Sequence, residues 1–186
     1  MKAEVLYRKL LEELQARLVG ASTNLSAAQI NQPIFLAGLA VGGAWLAERL
    51  AKDLELAQFG VINVAFHRDD YAEKGLSAMR SASSMPTYLP FEVNGAHIIL
   101  IDDVLSTGRT VRAALNELFD FGRPAQVELM VLADRGKREL PIAADFVAEY
   151  IDLPEQQILV LEKDATGQFL FQIEERSAAV NAGTKS

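Results

Sequence analysis

A short apolar run that leads directly into two carboxylates limits the folds open to this chain. Residues 98–101 (Ile-Ile-Leu-Ile) are followed by Asp102 and Asp103, and residues 104–110 read Val-Leu-Ser-Thr-Gly-Arg-Thr. Four consecutive apolar residues indicate a strand buried on both faces, as in parallel sheets covered by helices. The pattern predicts that a buried strand, His97 to Ile101, ends in paired acids and passes through a hydroxyl-rich glycine loop into a helix.

The order of strand, loop and helix recurs along the chain. Apolar runs at residues 34–37, 60–66 and 127–133 predict further strands, and the first of them stops at Gly38 before helical spacing resumes after Gly43. The helix after Arg109 is predicted to end at Gly122. Its predicted buried residues are Val111, Leu115, Leu118 and Phe119. This alternation predicts an α/β fold with a mostly parallel central sheet and helices on both faces.

The two ends of the chain add a helix, a hairpin and a tail. Leucines 6, 10, 14 and 18 form one apolar helical stripe, and residues 146–151 predict a strand followed by a hairpin around Gly167. Residues 177–186 are small and polar, which predicts a disordered tail. We therefore predict a single domain over residues 1–176.

The amino-acid composition limits the kinds of site and partner that the chain can have. The chain has no cysteine, so it needs no oxidising compartment and has no thiolate site. Glutamates among the N-terminal leucines argue against a membrane span, which predicts a cytoplasmic protein without a membrane partner. A net charge of −7 argues against broad binding of nucleic acid. An anionic ligand would then need a metal ion or clustered arginines.

The segment from Asp102 to Thr110 predicts a ribose 5-phosphate site. Gly108 lets successive backbone N–H groups converge beside a helix N-terminus, and the hydroxyls of Thr107 and Thr110 add donors. Asp102 and Asp103 suit ribose hydroxyls and Mg²⁺. The alternative is that these residues only cap a turn and start a helix. The segment contains neither the P-loop nor the dinucleotide-binding glycine motif.

Several other residues are open to two interpretations. Residues 71–90 have few apolar anchors, which is typical of a mobile lid or a disordered segment. Arg68 and Arg80 could contact a phosphate from that lid or lie in solvent. The basic cluster of Arg135, Lys137 and Arg138 is consistent with anion contact or with a solvated turn. Trp45 is expected in the core or at an interface, and His67 is expected to be a packed or solvated histidine.

Residues 101–110 resemble the phosphoribosyl pyrophosphate signature of the type I phosphoribosyltransferases. The wider run 102–114, with Gly122-Arg123-Pro124 and residues 133–142 (Ala-Asp-Arg-Gly-Lys-Arg-Glu-Leu-Pro-Ile), is similar to one branch of that superfamily. That branch is the bifunctional pyrimidine operon regulatory protein and uracil phosphoribosyltransferase. The resemblance covers most of residues 34–151. It implies transfer of the phosphoribosyl group from phosphoribosyl pyrophosphate to uracil, with Mg²⁺, to give UMP and pyrophosphate.

The resemblance also implies a role for each site segment. Asp102 and Asp103 would be the ribose and metal acids, with Arg109 as a third candidate catalytic residue. The 5-phosphate loop would comprise Ser106, Thr107, Gly108, Arg109 and Thr110. The pyrophosphate loop would span Gly38 to Gly43, including Ala40, Val41 and Gly42. Backbone groups at Asp134, Arg135 and Gly136 would read the base, and residues 69–90 would form a flexible hood carrying Arg80, with Arg68 just before it. The resemblance further implies a homodimer or higher homo-oligomer, for which the apolar first helix and Trp45 could supply a surface.

Two departures from the family pattern lead to predictions. Val41 and Gly42 stand where the family usually has a hydroxyl and often a basic residue, which predicts slow turnover and a raised Michaelis constant for phosphoribosyl pyrophosphate. The first helix lacks the threonine and histidine of the RNA-regulating members, which predicts weak or absent RNA binding. Two alternatives remain open: an RNA-binding attenuator of pyrimidine genes, and a phosphoribosyltransferase for another base.

Overall fold

The computed structural model describes residues 3–23, 33–64 and 86–175. Within these ranges, none of the helices is long and apolar enough to cross a membrane. In chain order the elements are α1 (Ala3–Thr23), β1 (Ile34–Leu39), α2 (Gly42–Asp53), β2 (Gly60–Ile62), β3 (His97–Leu105), α3 (Arg109–Phe121), β4 (Gln126–Asp134), β5 (Phe146–Tyr150), β6 (Gln157–Lys163) and β7 (Phe169–Glu175).

Five of the strands form one parallel sheet in the order β2-β1-β3-β4-β5. Strand β3 is central, so the carboxyl ends of β1, β3 and β4 lie side by side at one edge. Strands β6 and β7 form a separate antiparallel hairpin whose turn contains Gly167 at φ 82°. The predicted parallel sheet and terminal hairpin are confirmed.

The side chains of β3 alternate between two hydrophobic cores, one on each face of the sheet. Ile99 and Ile101 face a core shared with α1, α2 and the hairpin, whereas Ile98 and Leu100 face a core shared with α3. All four of these β3 side chains are at most 1% exposed. This double burial explains why the strand is apolar at consecutive positions, and it confirms helices on both faces of the sheet.

The strands extend further toward the site than the apolar runs predicted. Strand β3 was predicted to stop at Ile101 but continues to Leu105, because its ladder with β4 persists through the pairs Asp102↔Val131 and Leu105↔Asp134. The two acids therefore lie within the strand. Strand β1 likewise passes through Gly38 to Leu39, and β4 ends one residue later than predicted. The predicted strand at 60–66 is observed as Gly60–Ile62, and its last two residues lie outside the described ranges.

Helix α3 corrects one predicted core residue. Val111, Ala114 and Leu118 are at most 2% exposed, whereas Phe119 is 50% exposed. Phe119 follows Leu118 directly, so it is rotated about 100° away from the buried stripe. The predicted burial of Phe119 was therefore wrong, although the predicted helix end at Gly122 is confirmed.

The apolar side of α1 is buried inside the chain. Leu6, Leu10 and Leu14 pack in the first core, and Trp45 is partly buried against the same core. Lys163 lies over the Trp45 ring, 5.2 Å from its centroid. The apolar stripe of α1 and part of this ring therefore pack within the chain, and self-association stays a prediction.

A partly buried ion pair joins α1 to α2, and a backbone hydrogen bond to the same carboxylate joins them to the hairpin. Arg49 donates to both carboxylate oxygens of Glu4, at 2.6 and 3.1 Å, and the Phe169 N–H donates to Glu4 Oε1 at 2.6 Å. Burial raises the pKa of Glu4, but the hydrogen bonds from Arg49 and Phe169 outweigh it and hold that pKa below its usual value. The ionised form of Glu4 therefore stabilises the fold.

Candidate active site

Two adjacent carboxylates lie at the carboxyl end of the central strand. Asp102 is 3% exposed and Asp103 is 5% exposed, and Asp102 Oδ1 accepts a hydrogen bond from the Asp103 backbone N–H at 3.0 Å. Buried carboxylates are rare unless they are paired or serve a ligand. Their position at the edge where parallel strands end is where ligands of open α/β sheets bind.

The N-terminus of α2 packs directly against these acids. A Cβ atom added at Gly42 would lie 2.4 Å from Asp103 Oδ2, and one added at Gly43 would lie 2.2 Å from the Ile101 carbonyl oxygen. A Cβ atom at Gly38 would meet the Gly43 carbonyl oxygen at 2.3 Å. Real Cβ atoms do not approach so closely, so glycine at these positions is what lets α2 approach β1 and β3.

The predicted pyrophosphate loop presents mainly backbone. Ala40 is 5% exposed and donates its N–H to the Ile62 carbonyl at 2.9 Å, whereas the Val41 side chain is 37% exposed. The Ala40–Val41 peptide bond is cis. Val41 precedes α2 and provides no side-chain cap for it. The first turn of α2 therefore offers N–H groups and the positive end of the helix dipole to an anion.

The predicted 5-phosphate loop is a tight turn between β3 and α3. Gly108 has φ 91°, a left-handed conformation that favours glycine, and it directly precedes α3 without a side-chain cap. Thr107 Oγ1 accepts a hydrogen bond from the Arg109 N–H at 3.2 Å. Ser106, Thr107 and Thr110 are partly exposed. The loop therefore combines hydroxyls with a helix N-terminus, as phosphate sites do.

Arg109, predicted as a catalytic and phosphate-contacting residue, lies on the first turn of α3. Its guanidinium binds Glu139 Oε2 through Nε at 2.8 Å and through Nη2 at 2.5 Å. Both side chains are at least half exposed, which makes the ion pair weak and easily exchanged for another anion. Arg109 is thus placed beside the phosphate loop and joins it to the segment after β4.

The predicted base-reading residues lie at the end of β4, whose last residue is Asp134, and directly after it. Asp134 is 5% exposed, and its Oδ1 accepts a hydrogen bond from the Gly136 N–H at 2.8 Å. Arg135 is 8% exposed, its N–H donates to the Leu105 carbonyl at 2.9 Å, and its guanidinium donates to the Pro154 carbonyl at 3.3 Å. The loop therefore lies next to the phosphate loop, one strand away from the paired acids.

The basic cluster after β4 divides into three environments. Arg138 donates to three protein acceptors, Arg135 is buried, and Lys137 is half exposed with its Nζ 3.6 Å from Asp152 Oδ1. The solvated-turn interpretation fits Lys137 alone. Arg138 was grouped with its basic neighbours because local sequence contains no signal for its long-range contacts. In the sequence, the doublet Gly42-Gly43 at the start of a helix was the signal that α2 packs closely against neighbouring strands.

Only the end of the predicted hood lies within the described residues. Arg68, Arg80 and His67 lie outside the described residues. The end of the predicted hood is fixed, because Tyr88 and Val61 exchange two backbone hydrogen bonds of 2.8 Å and Thr87 Oγ1 accepts the Asn63 N–H at 3.0 Å. These bonds anchor the end of the predicted hood to the segment that contains β2, and the hood itself stays a prediction.

The donor set suits a hard divalent cation that the substrate helps to bind. Among the described residues, no group of three or more His, Cys, Asp or Glu side chains could hold a metal ion. Asp102 and Asp103 supply carboxylate oxygens beside two helix N-termini. Mg²⁺ commonly binds to one or two carboxylates together with substrate phosphates, and the residues present fit that arrangement.

Comparisons with known proteins agree with this architecture. The Bifunctional protein PyrR of Ralstonia nicotianae is 50% identical over 179 residues, which cover 95% of this chain and 96% of that protein. The Bifunctional protein PyrR of Nitrosococcus oceani is 45% identical over 149 residues, 78% of this chain and 81% of that protein.

Solved structures show the same fold at low identity. The hypoxanthine phosphoribosyltransferase of Trypanosoma cruzi superposes with a TM-score of 0.56 at 16% identity, covering 95% of this chain and 93% of that one. The HGPRT-ase of Leishmania tarentolae in complex with GMP gives 0.54 at 16% identity, covering 82% and 78%. The phosphoribosyl transferase domain family matches residues 11–157. The chain therefore belongs to the phosphoribosyl transferase domain family and, within it, to the bifunctional PyrR proteins.

Proposed function

We propose that this protein joins uracil to phosphoribosyl pyrophosphate, giving UMP and pyrophosphate. The observation that carries the proposal is the meeting of two buried acids with the N-termini of α2 and α3 at one edge of the sheet. A phosphorylated ribose needs acceptors for its hydroxyls and donors for its phosphates, and this edge offers both. The relationship to the PyrR proteins supports pyrimidine as the class of base.

The ribose would lie over the paired acids. Asp102 and Asp103 would accept hydrogen bonds from the ribose hydroxyls and hold Mg²⁺, which neutralises the leaving pyrophosphate when it is bound. The 5-phosphate would bind the loop of residues 106–110, where backbone N–H groups and hydroxyls meet the N-terminus of α3.

The reaction needs orientation more than a strong base. A bond forms between uracil N1 and the anomeric carbon while the bond from that carbon to a pyrophosphate oxygen breaks, and the N1 proton leaves. Positive charge develops on the ribose ring, where the fixed carboxylates of Asp102 and Asp103 stabilise it. The pyrophosphate would bind at the first turn of α2, so the chain holds the leaving group and the nucleophile on opposite sides of the ribose.

The loop after β4 limits how uracil can be read. The N–H groups of Arg135 and Gly136 already donate to Leu105 and Asp134. The Asp134 carbonyl already accepts the Ile151 N–H at 2.8 Å, but a carbonyl oxygen has two lone pairs, so the carbonyl groups of residues 134–136 can accept a hydrogen bond from uracil N3–H as well. Backbone reading by acceptors would favour a base that carries a ring N–H donor, and cytosine lacks that donor at N3.

Formation of UMP tests the proposal. The protein would be incubated with labelled uracil, phosphoribosyl pyrophosphate and Mg²⁺, and the products separated by chromatography. We expect UMP to form with the wild type and to be lost when Asp102→Asn and Asp103→Asn are combined. Equal UMP formation by this double variant would contradict the site assignment.

A second function is favoured by the relatives, which are named bifunctional proteins. We propose a regulatory role linked to pyrimidine nucleotides, in which the same site acts as the sensor. The net charge of −7 still predicts that binding to RNA is weak. Specific binding to a pyrimidine leader transcript that persists at physiological salt would contradict weak binding, whereas binding seen only at low salt would be nonspecific.

A further inference from the structure

One arginine outside the assigned site residues joins the two loops that flank the ribose acids. Arg138 donates to the Ser106 carbonyl at 2.6 Å, to Asp134 Oδ2 at 2.5 Å and to the Ile142 carbonyl at 2.7 Å. Ser106 opens the 5-phosphate loop, and Asp134 opens the base-reading loop. A single planar guanidinium therefore bridges the phosphate side and the base side of the site.

The geometry of this bridge depends on arginine. Its guanidinium presents several N–H donors in a rigid fork, whereas a lysine ammonium is a compact point charge. The Arg138 side chain is 24% exposed and the Asp134 side chain is 6% exposed, so water screens this contact poorly. A charged, largely buried bridge of this kind fixes positions more tightly than a surface ion pair does.

Further contacts hold the segment after β4, residues 139–142, against the phosphate loop. The Thr107 carbonyl accepts the N–H groups of Glu139 and Leu140, at 3.0 and 3.2 Å. A Cβ atom at Gly108 would lie 3.1 Å from the Ile142 side chain. These contacts hold the backbone of the two segments together, and Arg138 adds a side-chain bridge from the Asp134 carboxylate of its own segment to the Ser106 carbonyl of the phosphate loop.

We propose that Arg138 is a positioning residue that sets the distance between the base-reading loop and the 5-phosphate loop. This inference rests on the proposed function. A nucleotide that occupies both loops benefits from their fixed separation, because the protein does not lose conformational freedom when it binds. A ligand that occupies only one loop gains little from that separation. Arg138 therefore contributes to UMP binding without touching UMP.

Fragment binding separates this role from a general structural one. The full-length wild type and the Arg138→Gln variant would be titrated with UMP, with uridine, which lacks the phosphate, and with ribose 5-phosphate, which lacks the base. We expect Arg138→Gln to lower the affinity for UMP at least about tenfold and the affinity for each fragment by less than about threefold. An Arg138→Lys variant keeps the charge and loses the fork, so it should behave like Arg138→Gln, and it replaces that variant if Arg138→Gln does not fold.

The adjacent Lys137→Gln is the matched control, because Lys137 is half exposed and its charge removal leaves the bridge in place. Its affinity for UMP should stay within about twofold of the wild type. Unchanged UMP affinity in both Arg138 variants would overturn the proposal. An equal loss of affinity for UMP and for either fragment would also overturn it. Failure of the wild type itself to bind UMP would instead refute the proposed function.

Discussion

Replacing Gly42 with alanine tests whether α2 holds Asp103 in place. The added Cβ would lie 2.4 Å from Asp103 Oδ2 and 2.6 Å from its Cγ, whereas real Cβ atoms stay beyond 3.0 Å. Asp103 is 5% exposed and lies within β3, so its carboxylate cannot simply swing into solvent. The side chain must instead retreat by roughly 0.6 Å or more within the site, and misplacements on the order of 1 Å in a binding group cost up to about a hundredfold.

We expect Gly42→Ala to weaken UMP binding by about tenfold, measured by calorimetric titration in Mg²⁺. The fold should remain, because the clash is with a side chain and because alanine favours the first turn of a helix by up to about 1 kcal/mol relative to glycine. Thermal unfolding followed by circular dichroism checks this second point. A loss of UMP affinity with a preserved unfolding midpoint is the predicted signature.

A double-mutant cycle identifies the cause. In an Asp103→Ala background the carboxylate is absent, so adding Gly42→Ala should produce no further loss of UMP affinity beyond about twofold. A loss of the same size in both backgrounds would show that the effect does not pass through the carboxylate. That result, or unchanged UMP affinity in Gly42→Ala alone, would refute the reasoning.

Three further predictions follow from the site and the fold. Combining Asp102→Asn with Asp103→Asn should weaken UMP binding by about a hundredfold or more while the thermal midpoint stays within a few degrees, since the acids serve the ligand; unchanged affinity by calorimetry would contradict this. Val41→Thr should lower the Michaelis constant for phosphoribosyl pyrophosphate by about tenfold or more through one added hydroxyl donor, with UMP affinity unchanged, because a hydrogen bond to a charged group contributes about 1.5–3 kcal/mol; steady-state rates that match the wild type would show that this loop is not limiting. Glu4→Gln should lower the free energy of unfolding at neutral pH by about 1 kcal/mol, after allowance for partial exposure. Because the pKa of folded Glu4 is lowered, its contribution is present above the ordinary value of 4.5 and is lost as the pH falls through the folded pKa. Urea unfolding at neutral and acidic pH should therefore show a smaller acid loss in Glu4→Gln than in the wild type.

The architecture was readable from local sequence because each strand of the parallel sheet is apolar over consecutive positions. Residues 98–101 predicted the central strand, and Gly108 predicted the turn into α3. The end of β3 could not be predicted from local sequence, because its backbone pairing with β4 continues past Asp102 and Asp103. Phe119 was misassigned because Leu118 and Phe119 are both apolar, and only the packed helix shows which of the two faces the core.

The contacts that shape the candidate site were not readable in this way. Gly42 was interpreted as a missing cation, yet the space that a side chain would fill is occupied by the Asp103 carboxylate, about sixty residues further along the chain. Arg138 reaches Ser106, which is distant in sequence, and nothing in its neighbourhood distinguishes it from Lys137. Such contacts depend on how the strands are ordered in the sheet, and local sequence does not specify that order.

The rate of pyrophosphate release with each nucleobase tests the central claim most directly. Wild-type protein would be assayed with phosphoribosyl pyrophosphate, Mg²⁺ and, in turn, uracil, cytosine, hypoxanthine, guanine and adenine. We expect release that depends on uracil and is at least about tenfold slower with every other base, because cytosine lacks the N3–H that acceptors in residues 134–136 are proposed to read, and because the relationship to the PyrR proteins favours a pyrimidine over the purines. Release that is fastest with a purine, or that does not depend on any base, would contradict it.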